Sequence, residues 1–107
     1  ELDDIQISQN AMAQAAEDAA GVLRALSNPS RLLILCQLVE SDKSVGQLED
    51  ALDLGQAYVS QQLARLRSEG LVSATREGRV MRYRLADPRV TPVIQVLYAS
   101  FCPRPGA

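Results

Sequence analysis

Apolar residues recur with a helical period along the first two thirds of the chain. After Ser8, whose hydroxyl can cap a helix, they follow three- and four-residue spacing: Met12, Ala15, Ala16, Ala19, Leu23 and Leu26. Asn28 and Pro29 then form a typical helix start, a capping side chain before a residue suited to the first helical position. The pattern predicts a first helix over residues 8–26 and a second over residues 29–40.

Two shorter helices follow around a tight turn. Ser44 and Gln47 have the spacing of a capping box, which predicts a helix over residues 45–52. We place the turn at Leu54-Gly55 and a fourth helix over residues 56–68. The inner stripe of this fourth helix is expected to consist of Val59, Leu63 and Leu66.

The apolar period then changes from 3.6 to 2. Residues 71–75 and 80–85 are strand candidates, and residues 76–79, which include Gly78, are typical of a hairpin turn. The side chains expected to pack inward from the second strand are Val80, Tyr83 and Leu85.

A last helix is predicted over residues 91–102. Its apolar stripe is formed by Val93, Ile94, Leu97 and Phe101, and Val96 and Ala99 widen the apolar surface beyond what one core requires. Pro92 disrupts a helix already begun before it, because its ring blocks the hydrogen bond to the preceding turn. We therefore expect either a helix start at Thr91 or a bent first turn.

Two short helices around a turn, followed by a basic hairpin, is the order of a winged helix-turn-helix. The chain is thus predicted to be a single, mainly α-helical domain over residues 1–107 with a small β-hairpin wing. Its longest apolar run, residues 32–36, is too short to span a bilayer, and its acidic start does not resemble a cationic signal peptide. We expect a soluble cytoplasmic protein.

Charge is distributed unevenly along the 107 residues, although the pI is about 5.0. Residues 1–64 carry 3 basic and 10 acidic side chains, a net charge of −7. Residues 65–107 carry 8 basic and 3 acidic side chains, a net charge of +5. A DNA-binding face needs such an asymmetry, but ordinary solvated surface charge explains it equally well.

The outer face of the fourth helix is small and polar, as a helix that enters a major groove must be. Gln56 and Gln61 can bond adenine edges bidentately, and arginines near the helix end can bind phosphates. The predicted DNA-binding set is Gln56, Ala57, Tyr58, Ser60, Gln61, Gln62, Arg65, Arg67 and, at the hairpin tip, Arg79. Each residue alone is explained more simply as a surface side chain; their joint placement favours double-stranded DNA.

Four stretches together resemble the ArsR/SmtB family of bacterial repressors over residues 23–102. They are LRALSNPSRLLIL at 23–35, SVGQLEDALDL at 44–54, YVSQQLARLRSEGLV at 58–72 and REGRVMRYRL at 76–85. The resemblance implies a homodimer formed through the first and last helices, which binds an inverted-repeat operator. Gly55, Tyr58 and Gln62 depart from the family's common residues (Ser, a smaller residue and His), which bears on the operator sequence and not on the binding mode.

The two cysteines, Cys36 and Cys102, are the remaining candidate chemistry. A metal sensor needs three or four ligands, and the chain has no His and no paired Cys motif, so we expect no metal site. From spacing alone, a core cysteine and a surface thiol are the simpler interpretation. The contexts LLILCQL and LYASFC, however, resemble the dithiol branch of the family.

That resemblance implies that persulfides link Cys36 and Cys102 through a polysulfide bridge, which releases the repressor from its operator. A simple disulfide formed by peroxide stays open as an alternative. No cofactor is expected, and the sequence leaves haem binding open. Replacing either cysteine by Ser is expected to preserve DNA binding and remove the response.

Two other classes of protein compete with a repressor as interpretations of the sequence. A thiol enzyme is disfavoured because the chain lacks a Cys-x-x-Cys motif and a His partner for a nucleophilic Cys. An interaction module without repressor activity, or an HlyU-like anti-repressor that displaces another repressor, stays open because the first half of the chain is acidic. A salt titration of binding to specific and random duplexes distinguishes a specific DNA-binding protein from these alternatives.

Overall fold

The computed structural model describes residues 2–101, with side chains from residue 8 onward. Helices and strands follow in the order α1 Leu2–Leu26, α2 Pro29–Glu40, β1 Lys43–Ser44, α3 Val45–Leu52, α4 Gln56–Ser68, β2 Val72–Glu77, β3 Val80–Leu85 and α5 Val90–Phe101. The prediction of a mainly helical domain with a small β-hairpin is confirmed. Cys102 lies outside the described residues.

Local capping signals set the starts of α2 and α3 as predicted. The Asn28 side chain accepts a hydrogen bond from the Arg31 amide at 3.1 Å, with Pro29 at the first helical position. At α3 the capping box is complete: Ser44 Oγ accepts from the Gln47 amide at 3.2 Å, and Gln47 Oε1 accepts from the Ser44 amide at 2.9 Å. These reciprocal bonds satisfy amides that have no partner inside the helix.

The turn between α3 and α4 differs from the expectation at Leu54-Gly55. The left-handed residue is Asp53, with φ 54°, and it ends α3. Gly55 has an extended conformation, φ −68°, and serves as the N-cap of α4. The prediction did not include Asp53 in the turn, but aspartate tolerates the left-handed region because its short polar side chain can bond locally.

The α1 helix is longer than predicted. It begins at Leu2, so Ser8 lies within it and does not cap it. A serine also lies inside a helix with only a small loss of helix propensity, so a possible capping residue need not mark the start.

The sheet has three antiparallel strands in the order β1-β3-β2, and only two were predicted. β1 is two residues long, too short to show a period, and it pairs Lys43 with Tyr83. β2 was expected at residues 71–75 but pairs with β3 as far as Glu77, so the turn shortens to Gly78-Arg79. Gly78, with φ 63°, supplies the backbone conformation that a two-residue hairpin requires at that position.

The core forms where α2, α3, α4 and α5 meet the base of the hairpin. Its fully buried side chains include Ile34, Leu35, Leu48, Val59, Leu63, Leu66, Val90 and Ile94. The predicted inner stripe of α4 is therefore confirmed. Because this stripe is enclosed by the core, the opposite face of α4 is fixed toward solvent.

Two expectations for the C-terminal third need correction. Val80 is 47% exposed and does not pack inward, because it pairs with Glu77 beside the turn, beyond the reach of the helical layer. The α5 helix begins at Val90, one residue before the expected start. Pro92 is therefore its third residue, where the amide needs no partner within the helix, so the proline is accommodated in the first turn.

An ion cluster joins α1 to the start of α5. Arg89 Nη2 lies 2.8 Å from Asp87 Oδ2, and Arg89 Nη1 lies 3.7 Å from Asp18 Oδ2 on α1. The Arg89 side chain and then its amide donate to Asp87, which holds the pKa of that carboxyl below its ordinary value. The same pairing raises the pKa of Arg89.

Candidate DNA-binding surface and the surroundings of Cys36

The outer face of α4 presents most of the predicted DNA-binding residues to solvent. Seven of the eight predicted on this helix are exposed: Gln56, Ala57, Tyr58, Ser60, Gln61, Arg65 and Arg67. The N-cap of the helix is Gly55, which has no side chain to bond the first amides. The positive end of the helix dipole and these amides are thus available to an anion such as a DNA phosphate.

Gln62 is the exception on α4. It is half-buried, and its Oε1 accepts a hydrogen bond from Arg31 Nη1 at 3.3 Å. Arg31 is only 6% exposed and also donates to the last-turn carbonyls of α1. The neighbouring residues Gln61 and Gln62 therefore face different surroundings, solvent and the α1–α2 junction respectively.

Two arginines near the C-terminal end of α4 differ in whether a described carboxylate pairs with them. Arg65 Nε lies 3.5 Å from Glu69 Oε1, four residues along, and both side chains are exposed. An exposed pair of this kind is worth little and can be exchanged for a phosphate contact. Among the described side chains, Arg67 has no carboxylate within ion-pair distance.

The arginines of the wing differ in their partners, and those without an ion pair to a described side chain lie near the tip. Arg82 pairs with Glu77, and Arg84 donates to Thr75 at 2.7 Å. Arg76 and Arg79 are exposed and make no ion pair with any side chain from residue 8 to 101. The α4 helix packs against β2, so the reading helix and the wing are in direct contact.

Cys36 lies half-buried on α2 between two apolar cavities. One, of about 180 Å³, is lined by Val39, Ile94 and Tyr98 among others. The other, of about 470 Å³, extends along Leu33 and Leu97 to Phe101 at the end of α5. Cys102 lies outside the described part of the chain, so the structure gives no distance between the two sulfurs.

A broad apolar surface is left exposed on α1 and α5. Leu23 is 62% exposed, Val96 64% and Phe101 80%, and Met12 and Leu33 are exposed as well. Large apolar side chains exposed in such number usually mark an interaction site; Leu33 among them belongs to α2. Within residues 2–101, no helix has both the length and the apolarity that crossing a membrane requires.

The described residues bring together no group of three or more cysteine or carboxylate side chains that could hold a metal ion. Two of the site residues escaped the sequence prediction in different ways. Arg31 was not singled out at all, although it is the one charged residue of α2 before Glu40. Gln62 was included in the predicted DNA-binding set, and the contact with Arg31 was not foreseen.

Comparison with known proteins places this architecture among bacterial DNA-binding regulators. Residues 28–74 match the family model described as bacterial regulatory protein, arsR family. The biofilm growth-associated repressor of Agrobacterium fabrum is 42% identical over 101 residues, covering 94% of this chain and 86% of the relative.

Solved structures agree. The transcriptional repressor BigR from Xylella fastidiosa superposes with a TM-score of 0.80 at 38% identity, over 90% of this chain and 98% of that one. A homodimeric winged helix-turn-helix DNA-binding domain from Mycobacterium bovis superposes with a TM-score of 0.73 at 31% identity, over 83% of this chain and 82% of that one.

Proposed function

The chain belongs to the ArsR family of bacterial regulatory proteins, and we propose that it is a homodimeric repressor whose operator complex is released by persulfides acting on Cys36 and Cys102. As a member of that family it is a transcriptional regulator with a winged helix-turn-helix fold and not an enzyme. The proposal concerns the operator, the dimer, the direction of regulation and the inducer.

The observation that carries the DNA-binding part is the contrast between the two faces of α4. Val59, Leu63 and Leu66 are fully buried, while Gln61 is exposed on the opposite side and Gln56 is exposed at the first position of the helix. A helix held this way can enter a major groove with amide side chains suited to adenine edges. The exposed Arg79 at the wing tip supplies a contact for the neighbouring backbone or minor groove.

A dimer explains the exposed apolar residues of α1 and α5. Burying them against a second copy removes from water a surface that the single chain leaves open. Two copies of α4 then meet the DNA about one duplex turn apart, so the operator is an inverted repeat. The regulator acts where operator DNA is found, in the bacterial cytoplasm.

The inducer part rests on the family resemblance of the two cysteine contexts and on the position of Cys36. Cys36 borders a cavity that extends to Phe101, the residue immediately before Cys102 in the sequence. A bridge between these sulfurs would tie α2, which packs on α3 and α4, to the end of α5. A coupling of about 1–3 kcal/mol between the two states lowers operator affinity about 5- to 150-fold.

The chemistry balances with a low-molecular-weight persulfide, RSSH, as oxidant. Each thiolate attacks a sulfane sulfur, and RSH leaves with the proton. The terminal sulfur of one cysteine persulfide then attacks the inner sulfur of the other, so a new S–S bond forms and the other terminal sulfur leaves as H₂S. In total, two thiols and two RSSH molecules give a bridge with one inserted sulfur, two RSH and one H₂S. The protein thiols are oxidised, and the sulfane sulfur that leaves as H₂S is reduced.

Mass spectrometry and operator binding, measured on the same samples after persulfide and separately after peroxide, test the inducer. We expect persulfide to add at least one sulfur between Cys36 and Cys102 and to lower operator affinity. Cys36→Ser and Cys102→Ser should each bind operator normally and no longer respond. A response that survives both single replacements contradicts the assignment.

Selection from a random duplex pool, followed by salt titration of the selected and a random duplex, tests the DNA-binding part. We expect an inverted repeat and a strong preference for it at every salt concentration, while both affinities fall as salt rises. In transcription assays the protein alone should lower transcription from that operator. An HlyU-like anti-repressor would instead raise transcription only when another repressor is bound.

A further inference from the structure

Arg31 is a buried cation whose hydrogen bonds all go to neutral groups. Its Nε donates to the Ala25 carbonyl at 2.8 Å, its Nη2 to the Arg24 carbonyl at 3.3 Å and its Nη1 to Gln62 Oε1 at 3.3 Å. No carboxylate among the described side chains pairs with it. The two carbonyls belong to the last turn of α1, where carbonyls lack an α-helical partner and the negative end of the helix dipole stabilises a cation. The Arg24 carbonyl also accepts from the Ser27 amide and hydroxyl.

The guanidinium therefore joins two elements that are far apart in sequence. One side of its planar fork is bonded to the end of α1, and the other side reaches α4, 31 residues further along the chain. Gln62 lies on α4 between the solvent-facing Gln61 and the fully buried Leu63. Rotating or sliding α4 relative to α1 would break this bond and leave a buried donor without an acceptor.

We propose that Arg31 is a positioning residue that fixes the orientation of α4 relative to α1, and that Gln62 is its partner and not a base-reading residue. This inference rests on the proposed function, in which α4 reads DNA and α1 lies in the dimer interface. It also revises the DNA-binding role predicted for Gln62. Arg31 acts on operator recognition without touching DNA, by setting where the outer face of each α4 stands in the dimer.

Gln62→Glu and Gln61→Glu form a matched test, because they add the same charge at adjacent positions of one helix. At position 62 the new carboxylate pairs with Arg31 and keeps the link, so operator affinity should stay within about threefold of wild type. At position 61 it faces the negatively charged duplex, so affinity should fall about tenfold or more. Melting temperatures of both variants show whether folding is intact.

Arg31→Lys and Gln62→Met test the link from its two ends. Lysine keeps the charge but lacks the planar fork that bonds three acceptors, and methionine keeps the length of glutamine without a good acceptor. Each should lower the ratio of specific to non-specific DNA affinity about tenfold in the folded protein, since the loss affects register and not phosphate contacts. The double variant should be no worse than the more impaired single variant, because both break one link.

The outcomes separate the inference from the function on which it rests. If Gln62→Glu loses as much affinity as Gln61→Glu, Gln62 contacts DNA and the inference is wrong. A lower melting temperature with an unchanged specificity ratio in Arg31→Lys would assign Arg31 a structural role only. If neither Glu variant affects binding, the outer face of α4 does not read DNA, and the proposed function fails together with the inference.

Discussion

Arg82 on β3 and Glu77 on β2 form an ion pair across the wing, with Arg82 Nε 3.0 Å from Glu77 Oε2. Arg82 Nη1 also lies 3.4 Å from Gln47 Oε1, the same atom that accepts from the Ser44 amide in the capping box. The Arg82 side chain thus ties the wing to the start of α3. Of the wing arginines, those near the hairpin tip keep a charge that a phosphate can bind.

We predict that Arg79→Ala weakens binding to specific and random duplexes to a similar extent. Arg79 is exposed at the hairpin turn and has no carboxylate partner among the described side chains, so it is free to bind a phosphate. Losing one such contact lowers the slope of log affinity against log salt by about 1. Salt titration by fluorescence anisotropy measures this slope.

Arg82→Ala is the control for the wing. Its guanidinium is held by Glu77, so its removal should leave the salt slope nearly unchanged. A drop in slope as large as that of Arg79→Ala would mean that the ion pair opens on the DNA and that the tip has no special role.

Gln61→Ala should relax specificity at one base pair of each half-site. The exposed amide can bond an adenine edge through two hydrogen bonds, and losing such a pair costs about 1–3 kcal/mol at the preferred base. The salt slope should stay unchanged, because no phosphate contact is lost. Ser68→Ala, exposed at the other end of α4, serves as control and should alter neither quantity. A uniform loss of affinity over all base substitutions would assign Gln61 to the backbone.

The elements that could be predicted from the sequence are those specified by neighbours in the chain. The cap at Asn28, the box at Ser44 and Gln47, and the buried stripe of α4 depend on residues within one or two turns, and the structure has them as expected. The outer face of α4 follows from the inner face, because helical spacing fixes one once the other is known.

The features that could not be predicted depend on contacts between distant segments. β1 exists only because β3 lies beside it, and Val80 is exposed only because the hairpin extends beyond the helices. Spacing on α4 gives no sign that Gln62 faces Arg31, since that contact is set by how α2 packs on α4. Contacts between distant segments decide such cases, and the local pattern of a single sequence does not reveal them.

Ser44→Ala should destabilise the protein without altering recognition. The serine hydroxyl accepts from the Gln47 amide, and losing an N-cap of this kind costs about 1 kcal/mol. Urea unfolding should show this loss, while the specificity ratio of the folded protein stays that of wild type. Ser27→Ala, which removes an exposed hydroxyl outside any N-cap, should cost less. Equal losses in the two variants would show that the cap contributes nothing of its own.

Leu23→Glu on α1 and Val96→Glu on α5 should each convert the dimer to a monomer. Both side chains are more than half exposed in the single chain, and a charge there opposes burial against a second copy. Sedimentation velocity measures the assembly state, and operator affinity should fall with it. Val80→Glu, at an exposed apolar residue of the wing, should weaken DNA binding through its charge yet remain dimeric. Loss of the dimer in all three variants would indicate general unfolding and contradict an interface on α1 and α5.

Asp87→Asn should destabilise the protein at neutral pH, and the difference from wild type should disappear in acid. Hydrogen bonds from the Arg89 side chain and amide hold the pKa of Asp87 below its ordinary value, so folding favours the charged carboxylate. A carboxyl with a depressed folded pKa stabilises fully above its unfolded pKa, about 3.9, and loses that contribution as pH falls through the folded value. Below that value both proteins carry an uncharged side chain at position 87, and their urea midpoints should converge.

Asp50→Asn, which removes an exposed carboxylate of α3 with no ion pair among the described side chains, should track wild type throughout. A constant difference between Asp87→Asn and wild type down to acid pH would mean that the asparagine perturbs packing, and that the ion cluster between α1 and α5 is not what stabilises this corner of the fold.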